Sequence, residues 1–205
     1  MGPFNAIYVV WGVWLVSWLV AAFWASPAIR RPGLTWHSFY RIPEVLGFAL
    51  LLGYGSAHRD RRDGWHLHGP GAYTAPDEFL WNVPPEIAWL MVGMAAAGFL
   101  FAWWARLYLG RLWSGNVTRK ADHRVVDTGP YRLVRHPIYT GILIAAIATV
   151  VARPSIATFA GAILLLIGLW IKALLEERFL RRELGAEAYD AYARRTPMLV
   201  PLLKL

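Results

Sequence analysis

Residues 4–25 read FNAIYVVWGVWLVSWLVAAFWA, 22 positions without a single Asp, Glu, Lys or Arg. As a helix rising 1.5 Å per residue this run is about 33 Å long, enough to cross a hydrocarbon layer of roughly 30 Å. A cleavable leader would carry a basic stretch ahead of its apolar core. Here there is none, and Trp11, Trp14, Trp18 and Trp24 stud the run, so it reads as an anchor that is retained.

Four more apolar runs follow. Ile42 to Ala57 carries one acid, Glu44, near its start; Ile87 to Ala105 follows Pro84 and Pro85, a pair suited to opening a helix. Pro137 to Ala152 and Pro154 to Ile171 have only Arg153-Pro154 at their junction, which makes them a tight helical hairpin. The expectation is an all-α integral membrane protein of about five transmembrane helices, with a C-terminal amphipathic helix that helps to enclose a cytoplasmic pocket. Residues 1–108 would supply the N-terminal spans and an extracytoplasmic loop, and residues 109–205 the chemistry. With 57% hydrophobic and 17% charged residues, disorder is excluded. With no cysteine, so are a disulfide scaffold, a thiolate nucleophile and any Cys-containing metal site.

The net charge of +8 would suggest nucleic acid in a soluble chain, but location decides its meaning. If the N-terminus lies outside, the inner segments are 30–41, 106–135 and 172 onward, and they hold 17 of the 21 Lys and Arg. This is a strong positive-inside pattern: it places the C-terminus in the cytoplasm, sets the cations beside anionic lipid and removes the need for a nucleic-acid partner. The outer loop from His58 to Asn82 contains His58, His66 and His68 near Asp60 and Asp63. Their spacing fits no standard metal-ligand pattern, so the loop reads as solvated and no metal is expected.

Two inner segments are polar enough for chemistry. The first, Leu109 to Gly141, contains LGRLWSGNVTRKADHRVVDTGPYRLVRHPIYTG. Pro137 fits the first turn of a helix, which places Arg135 and His136 beside unpaired backbone N–H groups that favour a polar or anionic ligand. Taken singly, Arg132, Arg135 and His136 read as snorkelling interface residues, and Tyr131 and Tyr139 as members of an aromatic belt. In the second segment Lys172, Glu176 and Leu180 are four apart on one helix face, and Glu177 is turned onto a neighbouring one. Lys172 with Glu176 could be a simple structural pair. From Ala186 to Arg195, Tyr189 and Tyr192 lie three apart on a short amphipathic stretch, suited to a surface anchor or to a cover over a pocket.

Together these segments resemble the isoprenylcysteine carboxyl methyltransferase family and its phospholipid-methyltransferase relatives. The residues that carry the likeness are WSGNV, H-R-V-V-x-x-G-P-Y, R-H-P-I-Y-T-G, K-x-x-x-E-E-x-x-L and G-x-x-Y-x-x-Y before a proline, between Leu109 and Pro201. The resemblance implies a membrane enzyme that binds S-adenosyl-L-methionine at its cytoplasmic side. The cofactor contacts it implies are Asn116, His123, Arg124, Val125, Val126, Tyr131, His136, Pro137, Ile138, Tyr139 and Glu176. Lys172 falls where carboxyl-methylating members hold their substrate with arginine, so Lys172 and Glu176 are the residues expected to act in catalysis.

The lysine is a departure, because a guanidinium grips a carboxylate with two bonds and an ammonium offers a point charge. The expected acceptor is a lipophilic or prenylated molecule with a carboxylate, which arrives deprotonated and needs no general base. An amine on a phospholipid is the alternative, and it would need a base, with Glu176 or a histidine the natural candidate. Two other classes remain open: a membrane sterol-type reductase using NADPH, which shares R-H-P-x-Y, and a scaffold without enzymatic activity.

Overall fold

The computed structural model describes residues 1–23, 39–53, 57–60, 64–67, 79–110 and 126–201, with 57–60, 64–67 and Leu184 described by their backbone alone. Among the described residues the chain forms six α-helices: α1 (Pro3–Ala22), α2 (Arg41–Leu51), α3 (Pro85–Leu109), α4 (Pro137–Ala152), α5 (Ile156–Leu184) and α6 (Ala186–Arg195). A 3-10 turn at Gly129–Arg132 precedes α4. Two four-residue strands, β1 (Ala57–Asp60) and β2 (Gly64–Leu67), pair antiparallel in the expected outer loop, with His58 opposite His66. His68 lies outside the described residues.

Among the described residues three helices are long and apolar enough to cross a membrane: α1, α3 and α5. The second apolar run does not form the 42–57 span expected from its composition. Gly53 adopts φ 80°, a left-handed conformation that stops a helix, and Ala57 already opens a strand. The resulting α2 has 11 residues and is about 16 Å long, half of what a crossing needs. α4, with 16 residues, is also shorter than the three crossing helices. The hairpin turn is as the sequence indicates: α4 ends at Ala152, and Ser155 caps α5 in a reciprocal capping box with Thr158.

Glycine sets the packing. α3 crosses α4 where Gly98 faces Gly141, and a Cβ at Gly98 would sit 2.6 Å from the Gly141 carbonyl oxygen. α2 crosses α5 in the same manner, with a Cβ at Gly47 coming within 2.6 Å of the Leu165 nitrogen and 2.8 Å of the Gly161 oxygen. Between lipid-exposed helices such close backbone approach replaces the hydrophobic drive available in water. α1 adds an aromatic seam: Trp11 and Trp14 pack on Phe99, and the Trp11 indole N–H donates to Thr149 Oγ1 on α4 (2.9 Å).

The bundle has two distinct ends. At one, buried Arg153 donates to the Phe4 carbonyl (3.3 Å) and lies over the Tyr8 ring, while Leu80 N–H donates to the Pro154 carbonyl (2.7 Å). At the other, Arg106 of α3 donates to the Ala21 carbonyl at the end of α1 (3.0 Å). This second end also gathers the start of α4, the last turns of α5, and α6.

Candidate active site

Pro137 has no N–H to give and a φ suited to a first helical turn, so α4 starts there, with His136 as its N-cap and Arg135 just ahead. A returning segment, 196–199, runs alongside. The backbone N–H groups of Arg135 and His136 donate to the carbonyls of Pro197 (2.8 Å) and Met198 (3.1 Å), and Thr140 Oγ1 donates to that of Leu199 (2.6 Å). The entry to α4 is therefore fixed by residues some sixty positions later in the chain.

The side chains converge on the last turns of α5. Arg135 grips Glu177 with two bonds, Nε to Oε1 at 2.7 Å and Nη2 to Oε2 at 3.2 Å. Its Nη1 donates to the carbonyls of Ala193 (3.0 Å) and Thr196 (2.6 Å). His136 lies between the two acids, with Nε2 3.1 Å from Glu177 Oε1 and Nδ1 3.6 Å from Glu176 Oε2. Tyr139 donates from its hydroxyl to Glu176 Oε1 (2.7 Å) and stacks parallel to the His136 ring at 5.3 Å. One turn back, Lys172 Nζ lies 3.9 Å from Glu44 Oε1, 5.1 Å from the centre of the Tyr139 ring and 5.7 Å from that of Tyr40.

His136 has carboxylates against both ring nitrogens, an arrangement suited to the doubly protonated ring. Burial alone would pull its pKa below the usual 6.5, but hydrogen bonds and charge from Glu176 and Glu177 raise it above that value. The folded value therefore exceeds the unfolded one. The histidine's contribution to stability is complete below about pH 6.5 and is lost as pH climbs through the raised value. In NMR of histidine-labelled protein the His136 ring is expected to titrate above 6.5, and Glu177→Gln should move the midpoint down. A wild-type midpoint below 6.5 would contradict this arrangement.

Of the residues expected from sequence, His136, Tyr139, Glu176 and Lys172 come together in this cluster, with Pro137 and Ile138 buried in the turn below. Tyr131 is close by, but its hydroxyl is directed at the Ala105 carbonyl of α3 (3.4 Å) and its own carbonyl accepts from Tyr192 (2.7 Å). Val126 is half-buried. Asn116, His123, Arg124 and Val125 lie outside the described residues. α6 is no simple surface anchor, since both Tyr189 and Tyr192 are buried against the protein. The ion pair of Lys172 is made with Glu44 instead of Glu176. Arg135 and Glu177, marked by their motifs but given no role from sequence, join the site, and Glu44 is a member that was not expected from sequence. Glu44 had a signal: it is the lone acid of its apolar run, and an ionisable group there is costly unless it is used.

Residues 91–182 match the model of the isoprenylcysteine carboxyl methyltransferase (ICMT) family. Through this segment the chain is similar to the ICMT family. The match begins within α3 and ends near the end of α5, so it takes in the helix crossing at Gly98 and Gly141 as well as the His136–Glu176–Glu177 cluster. Among relatives, the nickel-cobalt-cadmium resistance protein NccN of Alcaligenes xylosoxydans xylosoxydans is 31% identical over 120 residues, 57% of this chain and 54% of that protein. Protein-S-isoprenylcysteine O-methyltransferase B of Arabidopsis thaliana is 32% identical over 88 residues, 42% of this chain and 44% of its own length. A probable protein-S-isoprenylcysteine O-methyltransferase of Oryza sativa subsp. japonica is 30% identical over 83 residues, 40% of this chain and 44% of its own length. The chain spans about half the length of the curated relatives it matches.

Proposed function

We propose that this chain is a member of the ICMT family and a multi-pass membrane methyltransferase that moves the methyl group of S-adenosyl-L-methionine onto a lipophilic acceptor. The observation that carries the reading is the His136–Glu176–Tyr139 cluster, set at one end of a membrane bundle and inside the family's matched segment. The donor set suits the cofactor. Glu176 Oε1 accepts from Tyr139, while Oε2 makes only a long contact with His136 Nδ1 (3.6 Å), so that oxygen keeps a lone pair for an ammonium or a ribose hydroxyl. Tyr139, stacked on His136, offers a neutral ring beside it, and such a ring favours a cationic ligand.

When bound, the cofactor supplies an electrophilic methyl carbon on a sulfonium. The chain's own part is to hold reactants in line and keep water out, which supplies much of the rate in such displacements. In this reading His136, Tyr139 and Glu176 hold the cofactor, with Pro137 and Ile138 forming the turn beneath it. Tyr131, Val126, Asn116, His123, Arg124 and Val125 complete the cofactor side. Lys172 places the acceptor, which enters laterally between the helices. The distribution of cations supports an outer N-terminus and a site that faces the cytoplasm.

Calorimetry on the detergent-solubilised protein tests this. S-adenosyl-L-methionine is expected to bind, His136→Ala to weaken binding at least tenfold, about 1.4 kcal/mol, and NADPH to give no heat of binding. Binding of NADPH in place of S-adenosyl-L-methionine would favour the reductase class instead.

A further inference from the structure

The carboxylate acceptor expected from sequence relies on a cation free to receive it, and the surroundings of Lys172 are those of a balanced charge. Glu44 comes from α2, outside the segment shared with the family, and reaches across to within 3.9 Å of Lys172 Nζ. Its placement is built in. Gly168 lies one turn before Lys172 on α5, and a Cβ there would fall 2.7 Å from Glu44 Cγ and 2.9 Å from the Glu44 nitrogen, so only glycine lets the acid come this close. Glu176 stands one turn after Lys172 on the same helix face. The lysine is thus flanked by two carboxylates and faced by the Tyr40 and Tyr139 rings. Carboxylates and ring faces attract an ammonium and repel an anion.

One atom is left over. Glu44 Oε1 is buried and has no hydrogen-bond donor among the described residues; 3.9 Å from Lys172 is charge contact without a hydrogen bond. A buried acceptor without a donor is costly, and an N–H from a bound molecule would satisfy it.

Building on the methyltransferase reading, we infer that Glu44 is a specificity-determining residue that makes the acceptor an amine on a lipophilic molecule. The acceptor enters as an ammonium and gives one proton to the Glu44 carboxylate. The nitrogen lone pair then forms the N–C bond to the methyl carbon, the C–S bond breaks with its electron pair staying on sulfur, and a methylated ammonium and a neutral thioether result. Glu44 returns its proton to water.

The test uses the full chain in detergent, methyl-labelled S-adenosyl-L-methionine and two acceptor probes, a long-chain primary amine and a long-chain thioether carboxylic acid. Label is expected in the amine, stable to base. Glu44→Gln should cut kcat/KM for the amine at least tenfold and lower the ratio of amine to acid methylation, with S-adenosyl-L-methionine binding within twofold of wild type. Base-labile label in the acid at a rate equal to or above that of the amine overturns the inference and leaves the methyltransferase reading standing. So does amine methylation that Glu44→Gln leaves untouched, or cofactor binding with neither probe methylated. Failure to bind S-adenosyl-L-methionine overturns both.

Discussion

Replacing Arg135 by alanine is expected to destabilise the protein by about 3–5 kcal/mol, the range for removing one partner of a largely buried ion pair. The Arg135 side chain is 9% exposed and that of Glu177 is 17% exposed. The guanidinium uses all three nitrogens: two grip Glu177, and the third bridges the carbonyls of Ala193 and Thr196. Without it, Glu177 keeps only His136 of these two cationic partners, and the end of α6 loses its side-chain tie to the start of α4. Lysine cannot replace this fork, so Arg135→Lys should recover less than half of the loss. Thermal unfolding in detergent gives the magnitude. Hydrogen exchange should show faster exchange of the amides of Arg135 and His136, which donate to the returning segment. Wild-type stability in Arg135→Ala would show that the network is decoration.

The second large effect is steric. Gly98→Leu is expected to cost about 3 kcal/mol or more, at or above the upper end for overpacking. The clash begins at the Cβ, 2.6 Å from a backbone oxygen on α4, so no rotamer relieves it and the two helices must part. Gly93, on the same helix, is exposed, and a Cβ added there would meet nothing within 4 Å. Gly93→Leu is therefore the matched control and should leave the melting temperature almost unchanged. Equal effects from the two substitutions would mean that helix propensity, and not the crossing, sets the cost.

Much of this architecture can be read from the chain because apolar runs and prolines act locally. Pro84 and Pro85 mark the start of α3, Pro137 that of α4, and Arg153-Pro154 the hairpin turn, each by removing an N–H or fixing φ. Residues 186–195 show as a helix by the spacing of Tyr189 and Tyr192. The length of α2 is less legible: an apolar run reads as a span until Gly53 turns left-handed and strand pairing takes the residues beyond. At the site, His136, Tyr139 and Glu176 are visible through their motifs, but their partners are not. Nothing in TPML announces that residues 196–199 will pair with 135–140, because backbone acceptors look alike in every sequence. The 100° turn from Glu176 to Glu177 suggests that only one can serve, and His136 defeats this by lying between them. Glu44 and Lys172 are 128 positions apart, and only the glycine crossing of α2 on α5 joins them.

The return of residues 196–199 to the entry of α4 also fixes a timetable. During synthesis the helices can insert and pair as they emerge, since α3 and α4 need only each other at Gly98 and Gly141. The rim holding Arg135 and His136 must wait until residue 199 has been made, left the ribosome and folded back across α6. Until then Arg135 and His136 can meet Glu176 and Glu177 but lack the backbone carbonyls of residues 193–198 that hold the rim in place, and a contact of such long sequence separation forms late. The protein would thus acquire its membrane form first and its chemistry last.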